Sequence, residues 1–377
     1  MIVEKISIEN FKNISGAELE FHPQYNLITG KNAQGKTNLL ESIWIFTGCR
    51  SFRGSKERDF VSFGKERCNI KLKFADKRRS QNAEYILLKS GLSKEKKIML
   101  NKVDIASSKE LFERFKCVVF TPDDISLVSG APEKRRNFVD LCISQINPST
   151  MSVLRKTENL IIQRNAVLKD IFSGKASVSD LDIWDMQLCR VGSWMSFYRH
   201  KYVEELSLIC GKFYSEITGG KEKLTCEYNS NVFSPKYKYP EKDPNKTMAE
   251  AYYKALVLSR DEDIKTGRTR CGAGRDDIIL KIDGNRVRDF GSQGQKKSTA
   301  LVLKLSQANI FREKLKESPV ILLDDVMGEL DANRQKFIYS IIKDMQVFIT
   351  TCHSESIHTE MKGKIFSAEA GKFTEKN

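Results

Sequence analysis

Two stretches of this chain hold residue types at spacings that can do phosphate chemistry. The first is Gly30-Lys31-Asn32-Ala33-Gln34-Gly35-Lys36-Thr37, a glycine, four residues, then Gly-Lys-Thr. Glycines at its two ends carry no Cβ and reach positive φ, so the backbone can curl with its N–H groups turned inward on phosphate oxygens. Lys36 is placed to reach the β- and γ-phosphates of ATP, and the Thr37 hydroxyl to ligate Mg²⁺. The second stretch is Val320-Ile321-Leu322-Leu323-Asp324-Asp325, a continuous apolar run ending in two acids. A phosphate-loop ATPase needs one acid there to hold Mg²⁺ and often a second to orient or deprotonate water. Asp324 is assigned to the metal and Asp325 to the water. Two further features belong to the same chemistry. Ser292-Gln293-Gly294-Gln295-Lys296 heads a helical pattern, where Ser292 can cap the helix and Gly294 lets a phosphate approach the backbone. His353, at the end of the run Val347–Thr351, is a candidate γ-phosphate sensor.

These residues need elements to position them. Tyr25–Thr29 reads as a strand and Asn38–Phe46 as a helix, so the glycine loop sits in the strand–loop–helix context that its chemistry requires. Ile2, Ile6 and Ile8, then Ala17–Phe21, alternate as strands around a turn at Asn10–Asn13. Segments Cys68–Phe74, Glu84–Lys89, Ile98–Leu100 and Cys117–Thr121 continue as a meandering antiparallel sheet. From Pro122 to about Ile217 the pattern is helical, with Pro132 in a first turn, a helix Met151–Phe172 and a long helix Leu181–Ile217 capped by Asp180. Strands at Leu224–Tyr228 and Ile278–Asp283, with Gly272–Arg275 beginning the second ribbon, enclose a helix Met248–Lys265. A helix from about Gln295 to Leu315, the strand Val320–Leu323, a helix from about Ala332 to Met345 and the strand Val347–Thr351 follow. The tail after Lys362 has no strong pattern. No heptad repeat persists long enough for a coiled-coil arm.

Bulk properties narrow the classes. The 377 residues suit two domains or one with a large insertion; 40% are hydrophobic and 30% charged. No window approaches the ~18 apolar residues of a membrane span, so the expectation is a soluble, cytoplasmic protein with no membrane partner. Nine scattered cysteines without a C-x-x-C pair read as reduced thiols rather than a disulfide framework or zinc site. The formal net charge of +14 points to a polyanionic partner. Candidate patches are Lys71/Lys73/Lys77/Arg78/Arg79, Lys94/Lys96/Lys97, Lys134/Arg135/Arg136 and Arg268/Arg270.

The motifs taken in order resemble a family. Asn10–Asn13, the loop Gly30–Thr37 into Asn38–Glu41, Phe120–Asp124, Pro132–Arg136, Arg275-Asp276-Asp277, Ser292–Lys296, Leu322–Asp325 and Glu329–Asp331 are similar to those of the RecF family of SMC-class, ABC-type ATPases. The resemblance implies an α/β fold: an ABC-type head with mixed sheets, split into residues 1–122 and 219–377, with a helical lid inserted at 123–218 and helix 248–265 as a candidate addition to it. It implies that Ser292-Gln293-Gly294 is the signature motif, contacting the γ-phosphate bound to the second subunit of an ATP-dependent homodimer. It further implies duplex DNA binding beside single-stranded gaps, RecR- and RecO-type partners, and slow hydrolysis, since Asp325 stands where transporters carry glutamate. Gly272-Ala273-Gly274-Arg275 departs from the family's Gly-Pro-His-Arg, and no glutamine follows Phe120 as in a transporter. A transporter nucleotide-binding subunit and a small-molecule kinase are the alternatives.

Overall fold

The computed structural model describes residues 1–90, 93–105, 108–352 and 362–376. It divides into two compact units: Met1–Asp124 with Lys304–Asn377, and Ile125–Leu303. Residues 219–303, read from sequence as part of the C-terminal half of the head, group with the helical segment instead. The reason is local: the strand after residue 219 pairs and packs within that unit.

The first unit begins with β1 (Ile2–Phe11), β2 (Ile14–Glu20) and β3 (Tyr25–Thr29), then α1 (Lys36–Trp44). β4 (Arg67–Ala75), β5 (Ser80–Ser90), β6 (Ser93–Leu100), β7 (Val103–Asp104), α2 (Ser108–Arg114) and β8 (Cys117–Phe120) follow. One six-stranded antiparallel sheet has the order β2-β1-β4-β5-β6-β7. Its alternation is visible in β4, where Cys68, Ile70, Leu72 and Phe74 point inward and the lysines between them face out. β8 does not continue this meander, as its sequence neighbours had indicated. It is buried on both faces and pairs in parallel with β12 (Val320–Asp324) in the second sheet.

That second six-stranded sheet has the order β15-β14-β3-β13-β12-β8. β13 (Val347–Thr351) lies between β3 and β12, parallel to both, with Thr29 opposite Thr351 and Asp324 opposite Thr350. β8, β12 and β13 are buried throughout, which is why they read as unbroken apolar runs. The tail is not patternless. β14 (Gly363–Glu369) and β15 (Lys372–Lys376) form a hairpin, and β14 adds in parallel to the other edge of β3.

The second unit contains α3 (Ser126–Ser129), α4 (Pro132–Ile146), α5 (Thr150–Phe172) and α6 (Leu181–Thr218). β9 (Leu224–Asn229), α7 (Lys246–Leu258), α8 (Arg260–Thr266), β10 (Asp277–Ile282), β11 (Asn285–Arg286) and α9 (Val287–Phe290) follow. The expected single helix over 248–265 is two, parted at Ser259, whose hydroxyl lies 3.0 Å from Leu256 O and 2.9 Å from the Asp263 carboxylate, with its one proton to give to either. Gly272–Arg275 is a turn rather than a strand, closed by Arg275 N donating to Gly272 O at 2.8 Å. The strand order is β11-β10-β9, and an apolar core forms around Leu160, Leu188, Phe197, Met248 and Tyr252.

The motifs Pro132–Arg136 and Arg275–Asp277 meet inside this unit. Arg135 grips Asp277 with two bonds (2.7 and 3.0 Å), and Arg136 donates to Asp276 O at 2.8 Å. Arg199 on α6 holds Asp140 bidentately at 2.7 and 2.8 Å and reaches Asp276 at 3.4 Å. Asp140, Arg199 and Asp276 are all buried, so these are structural cross-links. α10 (Gln293–Leu315) runs across the division between the units, and α11 (Ala332–Ile342) follows β12 in the first unit.

Candidate nucleotide-binding site

β3 delivers the chain to the glycine loop and α1 takes it away. Gly30 has φ +153° and Gly35 φ +105°. Both choices are local necessities. A Cβ on Gly30 would stand 2.4 Å from Ala368 O on β14. Gly35 is the left-handed residue that opens α1. Ala33 also has positive φ, at +64°. The loop therefore curls over the positive end of a helix, the geometry that receives a phosphate.

Lys36 folds back along the loop. Its ammonium donates to Gly30 O (2.7 Å) and Lys31 O (3.1 Å) and lies 3.2 Å from Cys352 Sγ. These two carbonyl bonds hold the charge at the mouth of the loop. Thr37 Oγ1 donates to Asp324 Oδ1 at 2.8 Å, joining the head of α1 to the end of β12. Thr350 on β13 completes the set. Its hydroxyl donates to the same Asp324 Oδ1 at 2.8 Å and accepts from Asp325 N at 2.9 Å. Asp325 has φ +53°, a left-handed conformation that turns the chain as it leaves β12. Burial pushes the Asp324 carboxyl above its ordinary range; the Thr37 and Thr350 hydroxyls pull it down, the Asp325 charge pushes it up, and Arg53 pulls it down. A divalent cation beside Asp324 and Thr37 would act in the same direction as Arg53, and a hydroxyl with a carboxylate suits Mg²⁺.

Several neighbours had been given no role in the site from the sequence. Asn13 and Asn38 bond across the loop (2.7 Å), Asn13 also donates to Ala33 O (3.3 Å), and Arg53 donates to Asn38 Oδ1 (2.9 Å). Arg53 thus brings an exposed cation beside α1. Cys352, exposed, donates to Asn32 Oδ1 at 2.9 Å. The C-terminal hairpin also touches the loop, with Gly371 N on Gln34 O (3.0 Å) and Ala370 N on Gln34 Oε1 (2.5 Å). Lys12 is committed elsewhere: it pairs with buried Glu41 and donates to Ser55 Oγ at 3.0 Å.

Ser292 and Gly294 lie in the second unit, exposed at the start of α10. Ser292 Oγ accepts from Gln295 N (3.2 Å) while Gln295 Oε1 accepts from Ser292 N (2.8 Å), a reciprocal capping box. Gln295 is tied in turn to Glu222 at 2.8 Å. Asp331 caps α11, accepting from Arg334 N at 3.0 Å, and that bond holds its carboxyl low. His353 lies outside the described residues.

Several cations of the basic patches pair with carboxylates. Lys71 pairs with Glu84, Lys73 with Glu4, Lys96 with Glu57, Lys97 with Asp104 and Arg270 with Glu262. Lys77 donates to Lys316 O at 2.6 Å, and the Lys94 side chain lies outside the described part.

Residues 2–372 match the family model described as RecF/RecN/SMC N terminal domain. The chain is 37% identical over 381 residues to the DNA replication and repair protein RecF of Lachnospira eligens, covering 100% of both. It is 34% identical over 357 residues to that of Alkaliphilus oremlandii, covering 95% of each. Among solved structures, the recombination mediator protein RecF-ATPrS of the RecFOR pathway superposes with a TM-score of 0.90 at 32% identity, over 99% of this chain and 97% of that one. The Smc head domain of Pyrococcus furiosus shares the fold, with a TM-score of 0.55 at 14% identity over 99% of this chain and 95% of that one. With the phosphate loop, its companion acids and near-complete coverage in agreement, the chain belongs to the RecF family of DNA replication and repair proteins.

Proposed function

We propose that this chain is an ATP-dependent DNA-binding protein that clamps duplex DNA beside single-strand gaps in recombinational repair and replication restart. The observation that carries the reading is the Thr37–Asp324 bond of 2.8 Å. It joins the phosphate loop to a carboxylate far along the chain, as Mg–ATP binding needs. In this reading Gly30–Thr37 cradle the triphosphate, Lys36 leaves its carbonyl partners for the β- and γ-phosphates, and Thr37 with Asp324 holds Mg²⁺. Asp325 orients the attacking water, and its short side chain makes turnover slow. Ser292 and Gly294 contact the nucleotide held by a second copy, so ATP closes a homodimer and hydrolysis reopens it. The first unit acts as the head, and helices of the second form the lid. RecR- and RecO-type proteins are the partners and the cytoplasm is the setting; no helix among the described residues is long and apolar enough to cross a membrane.

The test is binding of gapped and plain duplex, titrated with salt, with and without ATP and Mg²⁺, for the wild type and Asp325→Asn. Tight binding that needs ATP and persists in Asp325→Asn, with turnover of ATP weak and raised by DNA, is the expected result. DNA affinity indifferent to nucleotide refutes the clamp.

A further inference from the structure

We propose that a cavity beside α5 in the helical unit is a second anion site, built to hold a phosphate group. The cavity measures about 280 Å³ and lies between the C-terminal half of α5 and the loop that leaves α8. Its lining includes Lys169, Arg268, Arg275, Asn165, Thr269 and Gly274, and no carboxylate. Three cations around one hollow repel one another, and an anion placed among them relieves that repulsion. A phosphate suits the set because a guanidinium fork and an ammonium can answer several of its oxygens at once.

The polar groups are arranged as donors. Asn165 Oδ1 accepts from both Thr269 N (2.7 Å) and Thr269 Oγ1 (2.8 Å), which fixes the amide and commits its oxygen. Its Nδ2 hydrogens have no partner among the described residues. Arg275 donates from Nε to Thr269 O at 3.1 Å, and its other guanidinium nitrogens have no partner among the described residues. Lys169 and Arg268 pair with no carboxylate among the described residues, unlike Arg270 two positions on, which meets Glu262 at 3.6 Å. Behind the wall lies Arg164, fully buried, whose Nη1 donates to Thr269 Oγ1 at 3.0 Å and whose Nη2 has no acceptor among the described residues. The acids nearest this wall are already answered: Asp263 and Asp185 each take a 2.6 Å bond from Arg164, and Asp185 and Asp182 take Arg260. Gly274 keeps the space open, since a Cβ there would come within 3.2 Å of Ile161 Cδ1.

The site goes beyond the ATP reading and is independent of it. Two sources share its chemistry: the backbone of a nucleic acid and a small phosphorylated molecule. The test uses the full chain carrying Lys36→Ala, so that the phosphate loop does not contribute. Thermal unfolding is followed as inorganic phosphate replaces chloride at constant ionic strength. Phosphate stabilises proteins generally, so the decisive quantity is the difference from Lys169→Ala/Arg268→Ala, and from Gly274→Leu, which fills the cavity and leaves every charge in place. A saturable rise in Tm that both variants lose is expected. In parallel, duplex DNA binding of the otherwise wild-type chain is titrated with salt. If the site holds backbone phosphates, removing two cations lowers the slope of log K against log salt by about 1.8. An unchanged slope, with phosphate stabilisation lost in the variants, assigns the site to a small phosphorylated molecule. A rise in Tm equal in parent and variants, or none beyond chloride, overturns the proposal. If the double variant fails to fold, Gly274→Leu alone decides.

Discussion

Replacing Thr350 by Val tests the geometry of the paired acids. Thr350 is fully buried, and its one hydroxyl serves both carboxylate-bearing residues. It donates to Asp324 Oδ1 at 2.8 Å and accepts from Asp325 N at 2.9 Å. Valine keeps the shape, so no cavity opens. What is lost is a bond to a buried carboxylate and the only acceptor among the described residues for a backbone N–H. An unsatisfied buried donor costs about 1–3 kcal/mol, and a bond to a charged group contributes roughly 1.5–3. The two losses share one atom and are not additive, so about 3 kcal/mol is expected, a fall in Tm of roughly 6–12 °C for a domain of this size. The penalty depends on pH. Burial raises the folded-state pKa of Asp324, and the Thr350 bond opposes that shift. Thr350→Val therefore raises it further. The mutational cost is smaller where Asp324 is protonated in both proteins and grows as pH rises through its titration. Calorimetry of the nucleotide-free protein across pH reads both effects, and Thr350→Ser, which keeps the hydroxyl, is expected to stay close to wild type. A Thr350→Val protein that melts with the wild type at neutral pH would sink the assignment.

Three further outcomes are expected. Gly371→Ala places a Cβ 2.0 Å from Asn13 O at a residue with φ +78°; the hairpin must shift off Gln34, and ATP affinity falls while DNA-independent folding of the second unit, read by near-ultraviolet dichroism of its tryptophans, persists. Arg199→Met leaves Asp140 and Asp276 buried without their partner and is expected to cost about 3–5 kcal/mol, whereas Arg199→Met/Asp140→Asn costs less than the sum of the single changes in urea titrations. Ser292→Arg removes the cap of α10 and crowds its start, so ATP binding by the monomer survives and ATP-dependent dimerisation, followed by sedimentation, is lost.

Much of the candidate nucleotide site was legible because its parts are local. The loop Gly30–Thr37 announces itself by glycines whose backbone duty is fixed by steric rules, and the run into Asp324 by burial on both faces. Ser292 read as a helix cap, which it is, because a cap needs only its own next three residues. What could not be read depends on pairing at long range. Thr350 and Cys352 look ordinary until β13 sets them against β12 and the loop. Arg135 and Arg136 read as part of a basic patch, yet inside the second unit Arg135 is spent on Asp277 and Arg136 on the carbonyl of Asp276. The tail after Lys362 is short and polar on alternate residues, and only the free edge of β3 gives it a place.

That last pairing has a consequence for the order in which the protein is made. β3 and the phosphate loop leave the ribosome early, but both strands that flank β3 come from residues 347–351 and 363–369, and the turn that seals Gln34 comes later still. A nascent chain stalled near residue 340 has made every glycine of the loop and lacks the walls that shape it. Such chains are expected to be cut readily by protease around residues 25–44 and to ignore ATP, whereas chains extended to the hairpin are protected. Protection already complete at residue 340 would contradict this. A product that ends before β13 carries the glycine loop but lacks both strands that flank β3.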